Sequence, residues 1–250
     1  MKKKFTIITI VKNDKFGILK TLKSISRQTF KNFEHIVVDG NSSDGTLFQI
    51  REYNKKNKFL FFKRKDISFY DSLNFAIKKS CGEFIGILNS GDTFVNNNVL
   101  EKINKSISST TNIFYSNLFF VKKKKIVRIW KHRTNNISKF NLFKIPHTTL
   151  FVHNRIYKKI GLYNLNYKIS SDLDFIIRLN KKINSIKHLN FETIFMEYGG
   201  LSTNLKSFKL KIREDFSILI YHFKSAFIFY YIFKIYFKIN DFNLRNYLKS

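Results

Sequence analysis

The chain has 250 residues, 46 Lys+Arg against 17 Asp+Glu for a formal net charge of +29, and 44% hydrophobic and 17% aromatic residues. That apolar content offsets the ordering entropy and excludes intrinsic disorder, and a single cysteine, Cys81, excludes an internal disulfide and points to a reducing compartment. The length makes one large domain, or one domain with an appended segment, and the charge favours polyanions: nucleic acid, lipid headgroups or the diphosphates of small ligands.

Residues 1–4 are basic and 5–11 apolar, the opening of an export signal. Lys12 and Asn13 interrupt the run and no small-residue cleavage site follows, so a buried strand is expected there instead. Residues 14–30 carry Ile18, Leu19, Leu22 and Ile25 at helical spacing. A second apolar run, 35–38, ends at Asp39-Gly40, and Ser43-Asp44-Gly45-Thr46 opens a helix with Leu47 and Ile50 on one face, capped by Ser43 or Asp44. Residues 59–62 read as a third strand, 70–80 as a helix with Leu73, Ala76 and Ile77 inward, and 84–88 as a fourth strand ending at Asn89-Ser90-Gly91-Asp92. This alternation predicts an α/β fold with a doubly wound, mostly parallel central sheet. Ligands bind beyond the carboxyl ends of such strands. The loops there, 9–14, 39–46, 63–71 and 89–92, each hold an Asp in a chain poor in acids.

From about residue 111 the rhythm changes to strand-like pieces, 112–121 and 126–130, joined by lysines 122–125 in a turn whose alternative use is a phosphate site. After Pro146 come a strand-like run at 147–151, a short helix near 155–160, and Ser170-Ser171-Asp172-Leu173-Asp174-Phe175 at the start of another helix, with Ser170 or Ser171 as N-cap. Residues 217–239 are dense in aromatics yet carry His222, Lys224, Lys234 and Lys238. Their longest uncharged stretch, 225–233, is shorter than the ~20 residues that span a bilayer. The expectation is a helix lying on an anionic membrane surface, its lysines toward the headgroups; the alternative is a core or dimer-forming helix.

Five pieces in order resemble the family 2 glycosyltransferases of the GT-A fold: Thr9-Ile10-Val11-Lys12-Asn13, the run from Val37 to Thr46 (VVDGNSSDGT), Tyr70-Asp71-Ser72-Leu73-Asn74, the run from Gly82 to Asp92 (GEFIGILNSGD), and Ser171-Asp172-Leu173-Asp174-Phe175. The resemblance covers residues 5 to about 205. It implies a catalytic domain over 1–205, with a nucleotide-binding half at 1–110 and an acceptor-binding half at 111–205, followed by a basic aromatic helical tail at 206–250. It further implies transfer of a sugar from a nucleotide-sugar donor, UDP-linked, to a hydroxyl of a glycan in cell-surface polysaccharide assembly, and the basic tail adds the expectation of a lipid-linked glycan acceptor at the inner face of the cell membrane.

The chemistry gives these residues roles. Breaking the bond from the sugar C1 develops charge on the diphosphate, which a divalent ion, Mn²⁺ or Mg²⁺, neutralises with one or two carboxylates as its protein ligands. By resemblance Asp92 is the metal ligand, while Gly91 stands where many relatives carry another acid. Asp39 takes the base; Thr9, Asn13, Ser42, Asp71, Asn89 and Gly91 line the nucleotide-sugar pocket. Lys63-Arg64 stand where an acid is common, and Ser68 and Ala76 replace frequent glycines. Asp172 is the base for the acceptor hydroxyl, which implies inversion at the anomeric carbon. Asp174, two residues on, faces elsewhere on a helix and serves its first turn. His147 is an acceptor-side candidate, and Gly199-Gly200-Leu201-Ser202 resembles a loop beyond the acceptor site. The histidines show no metal-ligand spacing, so zinc is unsupported.

Two other classes stay open at this level: a basic nucleic-acid-binding protein, against which no recognition motif for nucleic acid is present, and an inactive membrane-surface scaffold of the same fold, prompted by Gly91 and Lys63-Arg64.

Overall fold

The computed structural model describes residues 3–65, 68–131, 142–183, 186–197 and 205–242, with backbone alone for 205–206 and 237–242. In chain order its elements are β1 (Phe5–Val11), α1 (Lys15–Ser26), β2 (Phe33–Asp39), α2 (Thr46–Asn57), β3 (Leu60–Lys63), α3 (Phe69–Lys79), β4 (Phe84–Ile87), β5 (Thr93–Phe94), α4 (Val99–Ser106), β6 (Ile113–Lys122), β7 (Lys125–Trp130), β8 (Phe151–His153), α5 (Asn154–Ile160), α6 (Ser171–Lys182), β9 (Lys187–Glu197), α7 (Leu205–Phe223) and α8 (Phe227–Phe242). Short 3₁₀ turns lie at Leu142–Lys144, His147–Thr149 and Lys224–Ala226. The strand-like run expected at 147–151 is therefore a turn followed by β8.

One sheet runs β3-β2-β1-β4-β8-β6-β9-β5, with β7 beside β6. The expected parallel core is β3-β2-β1-β4: β1 is parallel to β2 and β4, and β2 to β3, with Val11 opposite Asp39 and Asp39 opposite Lys63. That register brings the ends of three strands to one edge. Past β4 the pairing mixes, with β8 antiparallel to β4 and β6, β9 parallel to β6 and antiparallel to β5. The lysine turn closes the β6–β7 hairpin through Lys123 and Lys124, both at positive φ.

Every residue of β1 is buried, because helices cover both faces of the sheet. Side chains alternate across a strand. Ile8 and Ile10 therefore join Ile36, Val38, Leu73, Ile77, Phe175 and Ile176 in one core, while Phe5 and Ile7 join Ile25, Leu100 and Ile103 in another. Asp14 caps α1 by accepting from Gly17 N at 2.9 Å, and Ser68 caps α3 by accepting from Asp71 N at 3.2 Å. Helix α2 starts at Thr46, with Gly45 rather than Ser43 or Asp44 at its N-cap. Asp44 still serves the turn, taking Thr46 N at 3.0 Å and the Thr46 hydroxyl at 2.6 Å.

The tail is two helices, α7 and α8, and by length and composition alone the stretch Ser207–Tyr236 would be enough to cross a membrane. The backbone breaks at Lys224, whose φ is +50°. Beyond that break α8 folds back along α7, with Phe216 against Tyr231 at 4.2 Å, Phe223 against Tyr230 at 3.7 Å, and Lys234 paired with Asp215 at 2.5 Å. Helix α7 is also part of the main core. Ile218 and Leu219 are fully buried there, and His222 reaches Asp174 of α6 at 2.8 Å.

Candidate active site

Reciprocal hydrogen bonds tie together the loops after β1 and β2. Asn13 N donates to Ser42 Oγ at 2.8 Å, and Asn13 Oδ1 accepts from Ser43 N at 2.9 Å. The buried Asp39 carboxylate accepts from Ser42 N at 2.9 Å and from the Ser42 hydroxyl at 2.5 Å. Asn13 and Asn41 adopt positive φ, a conformation asparagine tolerates better than most residues. Three of the expected pocket residues, Asn13, Asp39 and Ser42, thus form one hydrogen-bonded unit. Thr9 sits deeper: its hydroxyl is fully buried, donating to Leu88 O at 2.8 Å and meeting His35 Nε2 at 3.0 Å. Burial without a compensating charge pushes His35 down to about 3. The ring stays neutral at physiological pH.

The Lys63-Arg64 departure has a structural counterpart. Arg64 pairs with Asp71 at 3.3 Å, donates to Asp71 O at 3.3 Å, and lies over the Phe75 ring at 4.5 Å. The cation after β3 holds the acid at the start of α3.

After β4, Gly91 has φ +93°, a conformation that favours glycine; a Cβ there would lie 3.8 Å from Asp14 Oδ2 and 3.9 Å from Glu197 Cβ. The turn is fixed from beneath by Thr21 of α1, whose hydroxyl donates to Asp92 O at 2.7 Å and accepts from Gly91 N at 3.1 Å. Sequence reasoning missed Thr21. Its signal was a polar residue on the same buried face as Ile18, Leu22 and Ile25. Asp92 is 5% exposed; its Oδ1 accepts from Glu197 N at 3.1 Å, and burial, aided by the charges of Glu197 and Asp14, pushes its carboxyl up to about 7.

Among the described residues no group of three or more His, Cys, Asp or Glu is arranged to hold a metal. The oxygen donors at this turn fit a hard cation that takes few protein ligands. Asn89 Oδ1 is buried with no hydrogen-bond partner, and Asp92 is a desolvated carboxylate that a cation would stabilise.

Asp172 occupies the first turn of α6. His147 Nδ1 lies 3.2 Å from its Oδ2, and the Tyr70 hydroxyl 3.3 Å from its Oδ1. Tyr70 also donates to Ile169 O at 2.8 Å and stacks on Tyr163 at 5.5 Å. Burial pushes the Asp172 carboxyl up, but the charges of His147, Lys211 and Lys234 and the Leu173 N–H outweigh it, and the carboxyl titrates below its ordinary range. Asp174 points away, held by Arg178 at 2.8 Å and His222 at 2.8 Å. Tyr70 and Asp71 are neighbours at the start of α3, one bonded to Asp172 and the other held by Arg64. Tyr70 and Glu214, whose carboxylate accepts from the N–H groups of Lys168, Ile169 and Ser170 at 2.8–2.9 Å, are further residues that sequence reasoning did not assign. The Gly199–Ser202 segment lies outside the described residues.

The family model of glycosyl transferase family 2 matches residues 6–171. A "PGL/p-HBAD biosynthesis glycosyltransferase" of Mycobacterium bovis is 27% identical over 212 residues, covering 80% of each chain. An Escherichia coli protein, "UDP-Glc:alpha-D-GlcNAc-diphosphoundecaprenol beta-1,3-glucosyltransferase WfgD", is 27% identical over 115 residues, 46% of each chain. The crystal structure of S. aureus TarS superposes with a TM-score of 0.71 at 19% identity, over 87% of this chain and 39% of that one. A shorter form, TarS 1–349 in complex with UDP, gives 0.69 at 20% identity, over 87% of this chain and 65% of that one. This chain therefore spans less than half the length of the longer solved relative. With a family model over most of the chain and the matching α/β architecture, the chain belongs to glycosyl transferase family 2 and is a glycosyltransferase of the GT-A fold.

Proposed function

We propose that this glycosyltransferase moves one sugar from a nucleotide-sugar donor, UDP-linked, to a hydroxyl of a glycan or lipid-linked glycan, with inversion at the anomeric carbon, in cell-surface polysaccharide assembly at the inner face of the cell membrane. The observation that carries the reading is the pairing of Asp172 with His147 and Tyr70 beside Asp71. Asp172 is an ionised carboxylate oriented by two neighbours, and it takes the acceptor proton as the hydroxyl attacks C1. His147 holds Oδ2. Tyr70 fixes the other oxygen and the Ile169 carbonyl, so the base cannot turn away. On the donor side the Asn13–Asp39–Ser42 unit receives the nucleotide, with Asp71 and Arg64 at its flank.

Asp92, with Asn89 Oδ1, is the set that would hold a divalent ion, Mn²⁺ or Mg²⁺. Such an ion, when bound, supplies charge to neutralise the leaving diphosphate. The UDP-bound TarS structure and the WfgD activity support a UDP donor and a lipid-linked acceptor. The exposed apolar side chains of α8, Ile228, Phe229, Ile232 and Ile235, support contact with a membrane surface, with the chain's positive charge toward anionic headgroups. A panel of nucleotide sugars screened for thermal stabilisation, with and without Mn²⁺, followed by NMR of the product linkage, tests the reading. Stabilisation by a single donor and an inverted product support it; no stabilisation by any donor, or a retained anomeric configuration, refutes it.

A further inference from the structure

The segment 161–170 joins α5 to α6, and Arg178 of α6 staples its start. The guanidinium pairs with Asp174 through Nε at 2.8 Å and donates through its terminal nitrogens to the carbonyls of Ile160, Gly161 and Leu162. Between this segment, α6 and α7 lies a cavity of about 480 Å³, within the range of small-molecule sites. Its polar and aromatic lining is Asn164, Asn166, Tyr167, Asp174, Arg178 and Tyr221. The charged members of that lining, Asp174 and Arg178, are paired with each other. In a chain of net charge +29, this surface is therefore lined without net charge.

Two amides there keep hydrogen-bonding capacity. Asn164 Oδ1 accepts from Asn166 N at 3.0 Å, but the Asn164 amide nitrogen and both ends of the Asn166 side chain have no partner among the described residues. Tyr221 is 75% exposed, and its aromatic contact among the described residues is His222 at 5.1 Å, which leaves at least one ring face open to solvent. A pyranose carries no charge and presents an apolar C–H face beside a belt of hydroxyls. Flat aromatic rings match the face, and planar amides match the hydroxyls. A phosphate or a free cation finds no opposite charge to spare in the same lining.

This cavity is set apart from Asp172. Asp172 and Asp174 stand two positions apart on α6, about 200° around a helix roughly 10 Å across. One meets Tyr70 and His147 while the other borders the cavity, so a single sugar ring cannot touch both. Tyr167 is five residues before Asp172, which bounds their separation along the backbone at about 18 Å. We propose that the cavity is a saccharide subsite, distinct from the place of transfer, that holds a neutral sugar ring of the acceptor away from its reacting hydroxyl. Tyr167 and Tyr221 meet the ring faces, and Asn164 and Asn166 meet the hydroxyls. Assigning that ring to the acceptor rests on the transfer reading above; the subsite adds selection for an acceptor of more than one sugar.

Binding to the full chain tests the subsite without requiring turnover. The probes are maltotetraose, cellotetraose and chitotetraose, with inorganic phosphate as an anionic competitor, followed by calorimetry and ligand-observed NMR in wild type, Tyr221→Ala and Asn166→Ala. Both replaced side chains are exposed, and equal thermal midpoints check that the variants are folded. The expected result is that at least one tetrasaccharide binds wild type, that each variant weakens it about fivefold or more, and that phosphate does not displace it. No binding of any tetrasaccharide, unchanged affinity in either variant, or displacement by phosphate overturns the proposal. Sugar transfer is measured separately by nucleotide release from the donor. A chain that transfers sugar but fails the binding test loses the subsite alone. Tetrasaccharide binding that responds to both variants, in a chain that transfers nothing, removes the transfer reading alone.

Discussion

His147 Nδ1 lies 3.2 Å from Asp172 Oδ2, so two residues 25 positions apart in the chain form one pair. The pairing has a consequence in pH. The folded Asp172 titrates below the ordinary carboxylate range, so a rate that needs it ionised is fully present at neutral pH and is lost only as pH falls through that low value. Removing His147 removes a charge that lowers this value. His147→Gln is expected to move the acid limb of the kcat profile to higher pH and to cost about tenfold in kcat, with the donor KM little changed. A pH–rate profile of the variant checks this; an unmoved acid limb separates His147 from the base.

Asp174 predicts the opposite phenotype from Asp172. It is 3% exposed and held between Arg178 and His222, so its loss leaves cationic partners without their carboxylate. Asp174→Ala is expected to cost about 3 kcal/mol in urea unfolding, while Asp172→Asn costs little. Burial pushes the Asp174 carboxyl up, but the bonds from His222 and Arg178 outweigh it and the carboxyl lies below its ordinary value. Its stabilising contribution is therefore present above the unfolded carboxylate value, near about 4, and fades as pH drops through the lower folded one. Wild type should lose stability over that acid window more steeply than Asp174→Ala.

For Asp92, proposed to hold the ion, the readout is nucleotide affinity. Asp92→Ala is expected to weaken binding of the cognate nucleotide in Mn²⁺ by about tenfold or more, to the level wild type shows in EDTA. Calorimetric titration of both proteins with and without metal checks it, and equal Mn²⁺ dependence in the variant would remove Asp92 from the ion.

The tail separates into a structural arm and a docking arm. Truncation before α7 removes Glu214 and the fully buried Ile218 and Leu219, and is expected to give unfolded or insoluble chain. Replacing exposed Ile228, Phe229 and Ile232 of α8 with serine should leave the thermal midpoint nearly unchanged and weaken partition onto anionic vesicles by about a hundredfold. Partition equal to wild type would show that the apolar face serves another purpose.

Much of the first half of the fold was legible from residue order because parallel strands buried on both faces read as continuous apolar runs. The FTIITIV run became β1, and the acids after the strands collected at one edge. The second half was less so. Strand β9 pairs with both β6 and β5 across long sequence separations that no local period announces, and the turn at His147 precedes a strand of three residues. In the site, Asp172 stood out as an acid at a helix start. Tyr70 did not, because one aromatic at the head of an amphipathic helix looks like core until its hydroxyl is seen against Asp172. Glu214 was hidden in a segment whose composition resembled a surface helix, and only the fold brings it onto the 168–170 backbone. Arg64 broke a familiar pattern. Its pairing with Asp71 accounts for that break in physical terms.

The central claim is that Asp172 deprotonates the acceptor. The most direct measurement is transfer by Asp172→Asn under saturating donor, alongside its donor dissociation constant. The account predicts a fall of about 10²–10⁴ in kcat with donor affinity held within about twofold of wild type. Turnover at the wild-type rate in that variant would contradict it.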